Sequence, residues 1–150
     1  MGKTRETGKL VSDNIVSVNI NTDRVGIGTT LPSTKLHIVG DVLVTGVTTS
    51  FDFNSTSDIR LKTNIKKIES PIEKILQISG VTFNWKKDNR SSVGVIAQEI
   101  EQVLPDAVCT REDGYKAVKY EKIVPLLIES VKELTALVET LQAKIANLEN

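Results

Sequence analysis

Residues 55–65, STSDIRLKTNI, hold a serine and a lysine five positions apart, Ser57 and Lys62, with Asp58 and Arg60 between them. A serine hydroxyl is a poor nucleophile until a base takes its proton. The single histidine, His37, lies upstream in a stretch of different composition, so no imidazole is at hand. A neutral lysine can serve instead. Free lysine has a pKa near 10.4, which leaves about 0.04% neutral at pH 7. Such a base therefore needs an apolar setting or a second cation beside it. Arg60 is the candidate cation, and Ile59, Leu61 and Ile65 are candidate apolar cover. Asp58 pushes towards the charged amine unless it is engaged elsewhere. Backbone N–H groups or the Asn64 amide are candidate donors to an oxyanion.

Geometry restricts how the two residues can meet. In a strand, positions five apart lie about 16 Å from each other. In a helix they lie about 140° apart around the axis. A turn must therefore come between them, or the lysine must come from a neighbouring chain. Spacing alone leaves a plainer reading open, in which Ser57 and Asp58 cap a turn and Lys62 is a solvated charge.

The elements that would position these residues follow from composition. The chain has 150 residues with equal numbers of basic and acidic side chains, so its net charge is zero. That balance excludes the basic excess of a nucleic-acid binder. No apolar run reaches the roughly 18 residues of a membrane span, and the start, MGKTRETGKL, lacks a signal-peptide core. MGKTRE resembles a myristoylation start, with Glu where Ser or Thr is expected. One Cys, Cys109, allows no internal disulfide, and one His with one Cys does not fill a zinc shell. No metal and no cofactor is expected. Aromatic residues are 4% of the chain, while Val, Ile, Leu and Thr dominate. That favours slender, β-branched structure with a small core per chain and association between chains.

Three zones are expected: a β-rich segment over 1–50, a mixed α/β domain over 51–120 and a helix over 121–150. In the first, IVSVNI (Ile15 to Ile20), KLHIVG and DVLVTG read as short strands joined by tight turns. In the second, SPIEKILQISG predicts a helix capped by Ser70, with Pro71 at its first position and Glu73 completing a capping box. Ile72, Ile75, Leu76 and Ile78 would form its apolar face and Gly80 would end it. VTFNW predicts a half-buried strand, and SVGVIAQEIEQVLPDAV a strand over 93–96 followed by a short helix stopped before Pro105. Val95, Ile96, Ile100, Val103 and Leu104 are the expected core there, with Gln98 and Glu99 as structural polar contacts and Trp85 as a core or interface anchor. Lys66, Lys67, Lys86 and Lys87 read as solvated faces. Asp113-Gly114 between two alternating runs signals a hairpin.

The last zone carries apolar residues at Val124, Leu127, Val131, Leu134, Val138, Leu141, Ile145 and Leu148. Steps alternate between three and four, the heptad pattern of a coiled coil, with Val or Ile at every a position and Leu at every d. At about 1.5 Å per residue the seam is roughly 37 Å long. The plainer alternative is an amphipathic helix packed on its own domain, which usually shows a wider stripe.

SDIRLKTNI, VGVIAQEIEQVLPDAV and YEKIVPLLIESVKEL, in this order and spacing, resemble the intramolecular chaperone domain at the C-terminus of phage endosialidases, tailspikes and tail fibres. That family is a self-cleaving serine peptidase, and it also occurs in a membrane-tethered eukaryotic transcription factor. The resemblance spans about residues 57–140. RVGIGTTLPSTKLHIVGDVLVTG is similar to stretches found just before such domains in tail fibres. The resemblance implies an α+β chain that forms a homotrimer: an elongated β-stalk, a small mixed chaperone domain and a C-terminal coiled-coil helix. It implies cleavage between Thr56 and Ser57, with Ser57 as nucleophile and Lys62 as base, and with Asp58, Arg60 and Asn64 as possible supports. Its partners would be further copies of the same chain and their upstream stalk, with no nucleic acid and no membrane. The fibre would assemble in the host cytoplasm and end on the virion, its released chaperone fragment left in the cytoplasm. Phage, host and receptor are not named by the residues. β-branched a positions with Leu at d favour two strands in parallel coiled coils, but the stalk and mixed domain set the expectation at three. A trimerisation cap that never cuts is the alternative, with the same fold. A membrane-released transcription factor is disfavoured by the lack of a basic zone and a membrane span.

Overall fold

The computed structural model describes residues 16–19 and 21–148. The MGKTRE start and Ile15 and Ile20 of the first alternating run lie outside the described residues, as do positions 149 and 150. The chain divides into two compact units, Met1–Thr56 and Ser57–Asn150.

The first unit contains a three-stranded sheet in the order β1-β2-β3. β1 (Val16–Asn19) pairs antiparallel with β2 (Arg24–Ile27), Val16 opposite Ile27 and Asn19 opposite Arg24. The Asn19 side chain nucleates the turn between them by accepting the N–H groups of Asn21 and Thr22, both at 3.1 Å. β3 (Leu36–Ile38) lies parallel to β2, Val25 opposite Leu36. The Arg24 guanidinium steadies the link between these strands by donating to the Pro32 carbonyl at 3.0 Å. Gly26 is required by the same link, since a Cβ there would stand 2.2 Å from the Thr29 carbonyl oxygen.

Among its described residues the second unit holds two antiparallel hairpins and three α-helices. β4 (Gly80–Asn84) pairs with β5 (Ser91–Val95), and β6 (Val108–Thr110) with β7 (Lys116–Val118). α1 (Pro71–Ile75) packs against α3 (Val124–Leu148), and α2 (Ala97–Val103) against β6 and β7. Ile100, Ala107 and Ile123 form the buried cluster, with Ile78, Val95, Leu104, Val108 and Val118 packed around it. Periodicity explains the arrangement. VGVIAQEIEQVLP switches from strand alternation to helix spacing, and the helix stops where Pro105 follows Leu104, turning Ile100 inward. Asp113 and Gly114 make the β6–β7 turn, with Gly114 at a positive φ of 80° and the Gly114 N–H bonded to the Arg111 carbonyl at 2.9 Å.

Several expectations are corrected. DVLVTG forms no strand, and Val42, Leu43, Val44 and Val47 stand exposed, because no strand of the described chain lies beside them to complete a ladder. Ser70 precedes α1 in the left-handed region (φ 47°) and makes no side-chain capping bond, so no capping box forms with Glu73. Pro71, buried at the first position, starts the helix instead. α1 ends at Ile75 with Leu76 exposed as its C-cap residue, and Gly80 opens β4 rather than closing the helix. β5 runs Ser91–Val95, which leaves Ile96 as the exposed N-cap residue of α2 rather than a core residue. Trp85 is half exposed, with its ring edge-on to Phe83 at 5.1 Å.

α3 begins at Val124, after a 3₁₀ turn at Tyr120–Lys122, and Pro125 sits in its first turn. Leu126 and Ser130 are buried. From Val131 to Leu148 every residue is exposed. The eight a and d side chains of the heptad seam are 44–86% exposed, so the chain's own domain does not cover that stripe.

Candidate active site

Ser57 opens the second unit, two residues before a 3₁₀ turn at Ile59–Leu61. The turn follows from local chemistry. Asp58 takes an extended conformation and caps it, its Oδ1 accepting the Arg60 N–H at 2.8 Å. The Leu61 N–H then bonds the Asp58 carbonyl at 3.1 Å, and the Lys62 N–H bonds the Ile59 carbonyl at 3.0 Å. Lys62 returns to extended backbone. The turn reverses the chain between two extended residues, and the Lys62 ammonium Nζ donates to Ser57 Oγ at 2.7 Å. The turn required by the five-residue spacing is thus present within one chain, with no lysine needed from a neighbour.

Arg60 grips the same carboxylate with its side chain: Nε lies 3.0 Å from Oδ1 and 3.1 Å from Oδ2, and Nη2 lies 2.7 Å from Oδ2. This fork, with the Arg60 backbone N–H second and the charge of Lys62 adding to both, holds the Asp58 carboxyl below the usual aspartate range. The guanidinium is held more strongly protonated in return. Arg60, expected as the cation beside Lys62, is thus paired with Asp58. Asp58 is likewise engaged, by the backbone and side chain of Arg60. The signal was in the sequence as Asp-x-Arg flanking the first turn residue, but charge counting does not reveal a bidentate pair.

Ser57, Asp58, Arg60 and Lys62 are all exposed, as are Ile59, Leu61 and Ile65, so the expected apolar cover is not formed within one chain. Asn64 stands in the left-handed region (φ 54°), and among the described residues its side chain makes no hydrogen bond to either member of the pair. Thr56, exposed, closes the first unit, so the bond it shares with Ser57 is the boundary between the units. Downstream, residues 65–68 run beside the start of α3. There Ile65, Ile68, Pro125 and Ile128, with Lys66, Lys67 and Glu129, line an open groove of about 360 Å³. Among the described residues no three metal-ligating side chains cluster, and no helix is long and apolar enough to cross a membrane.

This geometry can be set beside known proteins. Residues 57–109 match the family described as chaperone of endosialidase, a match that begins at Ser57. The long tail fiber protein Gp37 of Enterobacteria phage K3 is 37% identical over 98 residues, 59% of this chain and 8% of that protein. Its counterpart in Salmonella phage S16 is 33% identical over 110 residues, 66% of this chain and 15% of that protein. Myelin regulatory factor homolog 1 of Caenorhabditis elegans is 29% identical over 97% of this chain and 16% of that protein. The chain thus spans less than a fifth of the length of the curated relatives it matches.

Proposed function

From the premise that residues 57–109 are a chaperone domain of the endosialidase type, found in phage tail fibres, we propose that this chain assembles a trimeric fibre and then severs itself between Thr56 and Ser57. The observation that carries the reading is the 2.7 Å contact of Lys62 Nζ with Ser57 Oγ at the junction of the two units. Once Lys62 has lost its proton, its nitrogen accepts the Ser57 hydroxyl proton. Oγ attacks the Thr56 carbonyl carbon through a five-membered ring. The carbon–nitrogen bond breaks, and the lysine returns the proton to the Ser57 nitrogen. The amide has become an ester between Thr56 and the Ser57 side chain. Water, deprotonated by the same amine, hydrolyses that ester and leaves a Thr56 carboxylate, a free Ser57 hydroxyl and a new N-terminus.

The neutral amine is the demanding requirement, and removal from water is the usual way to obtain one. The site of a single chain is exposed, so its cover is assigned to neighbouring chains. The uncovered seam of α3, with Val or Ile at a and Leu at d, supplies the means of bringing them together. Cutting then follows assembly and releases the chaperone only from a completed stalk. The stalk belongs to the virion tail fibre and is built in the host cytoplasm, where the released fragment remains. A cap that trimerises without cutting is the second reading, favoured by the same exposure of the pair.

Intact-mass measurement of the purified chain separates them. A fragment starting at Ser57, absent in Ser57→Ala and in Lys62→Met, is the expected result. Only full-length chain in a preparation shown to be trimeric would leave the non-cutting cap.

A further inference from the structure

The turn that joins Ser57 to Lys62 has no core beneath it. None of its three residues is buried, and Ile59 and Leu61 are 70% and 73% exposed. Packing therefore does not fix the backbone between the two reacting groups. What remains is a local polar network: two backbone hydrogen bonds, the Asp58 cap on the Arg60 N–H and the fork of Arg60 on both carboxylate oxygens. The same Asp58 carboxylate thus bonds both the backbone and the side chain of Arg60 and closes a ring two residues wide. A lysine has four rotatable side-chain bonds, so its reach to Ser57 is held only as well as its backbone is held.

We propose that Asp58 and Arg60 form a positioning clamp, which holds the turn so that the Lys62 amine stays on the Ser57 hydroxyl while cover is still absent. This rests on the reading of Ser57 and Lys62 as the reacting pair. Neither clamp residue touches the bond that breaks. Arg60 acts by its fork geometry, not by lending charge to the lysine, because its charge is spent on Asp58.

Lysine keeps the charge of arginine but cannot make the fork, so Arg60→Lys decides between geometry and charge. In the full chain, followed by intact mass over time and across pH, Arg60→Lys, Arg60→Gln and Asp58→Asn should each slow cleavage at every pH by about tenfold to a hundredfold, the scale of a misplaced reacting group. A role through charge predicts something else: Arg60→Lys cutting at the wild-type rate, and the pH profiles of Asp58→Asn and Arg60→Gln moving in opposite directions at undiminished maximum rate. That result would overturn the clamp and leave the peptidase reading standing. A second measurement does not need cleavage. In the uncut Ser57→Ala background, hydrogen exchange over residues 57–65 should speed up when Arg60→Lys is added, and unchanged exchange would also overturn the clamp. If the wild type never cuts, the peptidase reading falls, and the exchange measurement alone decides whether the clamp holds the turn.

Discussion

The Ile100 cluster and the Ser57–Lys62 turn belong to the same unit and are built by opposite means. Ile100 and Ala107 are fully buried, Ile123 is nearly so, and apolar neighbours from β5, β6, β7 and the loop before β4 close over them. The turn buries nothing and is held by hydrogen bonds and one ion pair. The difference teaches that this chain closes its core by itself but leaves the Ser57–Lys62 turn uncovered. α3 repeats the contrast within one helix: Leu126 and Ser130 are covered near its start, and nothing is buried from Val131 to Leu148. The regions left open are the ones the proposed assembly assigns to other copies of the chain.

The largest effect should come from the seam. Leu134→Asp with Leu141→Asp puts two charges into the stripe without touching the Ile100 cluster. Light scattering should then show monomers and intact mass no cleavage, while circular dichroism keeps the secondary structure of the second unit. Trimers that persist would show that the seam does not drive assembly. Next comes the core itself. Ile100→Ala should cost about 2–5 kcal/mol in chemical or thermal unfolding, the range for emptying a closed apolar site. An intermediate effect is expected at Gly94, where a Cβ would stand 2.6 Å from the Tyr120 hydroxyl. That hydroxyl accepts the Val95 N–H at 3.3 Å, so Gly94→Ala should lower stability by about 1–3 kcal/mol through overpacking and loss of this bond. By contrast, Ile59→Ala should stay within about 0.5 kcal/mol in the seam-broken monomer, as for an exposed position. A larger loss there would mean the turn is packed after all.

The smallest effect concerns pH. The Asp58 carboxyl in the folded chain titrates below its unfolded value, chiefly through Arg60. Its contribution to the turn is therefore fully present above about pH 4 and fades as pH falls through the folded value. The pair is exposed, so the effect on global unfolding should be slight. Chemical shifts of Asp58 and Lys62 should show the turn loosening below pH 4, and a turn unchanged down to pH 2 would argue against a role for the charged pair.

Much of the second unit was legible from residue patterns. The β6–β7 hairpin followed from Asp113-Gly114, the end of α2 from Pro105, and α3 from its steps of three and four. The misses have physical causes. Ser70 has the right residue type for a cap, but its backbone lies in the left-handed region, where its side chain makes no bond to the helix start. DVLVTG alternates like a strand, yet alternation describes one strand while a ladder needs two. The pairing of Arg60 with Asp58 two residues earlier was not read from the residues, since that contact forms only when the turn is built.

By itself, the order of residues determined the local periods, the stops and the presence of a serine and a lysine near enough to be joined by one turn, because these depend on backbone sterics and neighbours a few positions apart. Only the folded geometry showed that the Asp58 carboxylate takes Arg60 in a fork and that Lys62 reaches Ser57 at 2.7 Å, both local contacts, and only tertiary packing decided that the α3 seam would be left bare. Those outcomes depend on directions in space and on which surfaces the rest of the chain happens to cover, and no linear spacing encodes either.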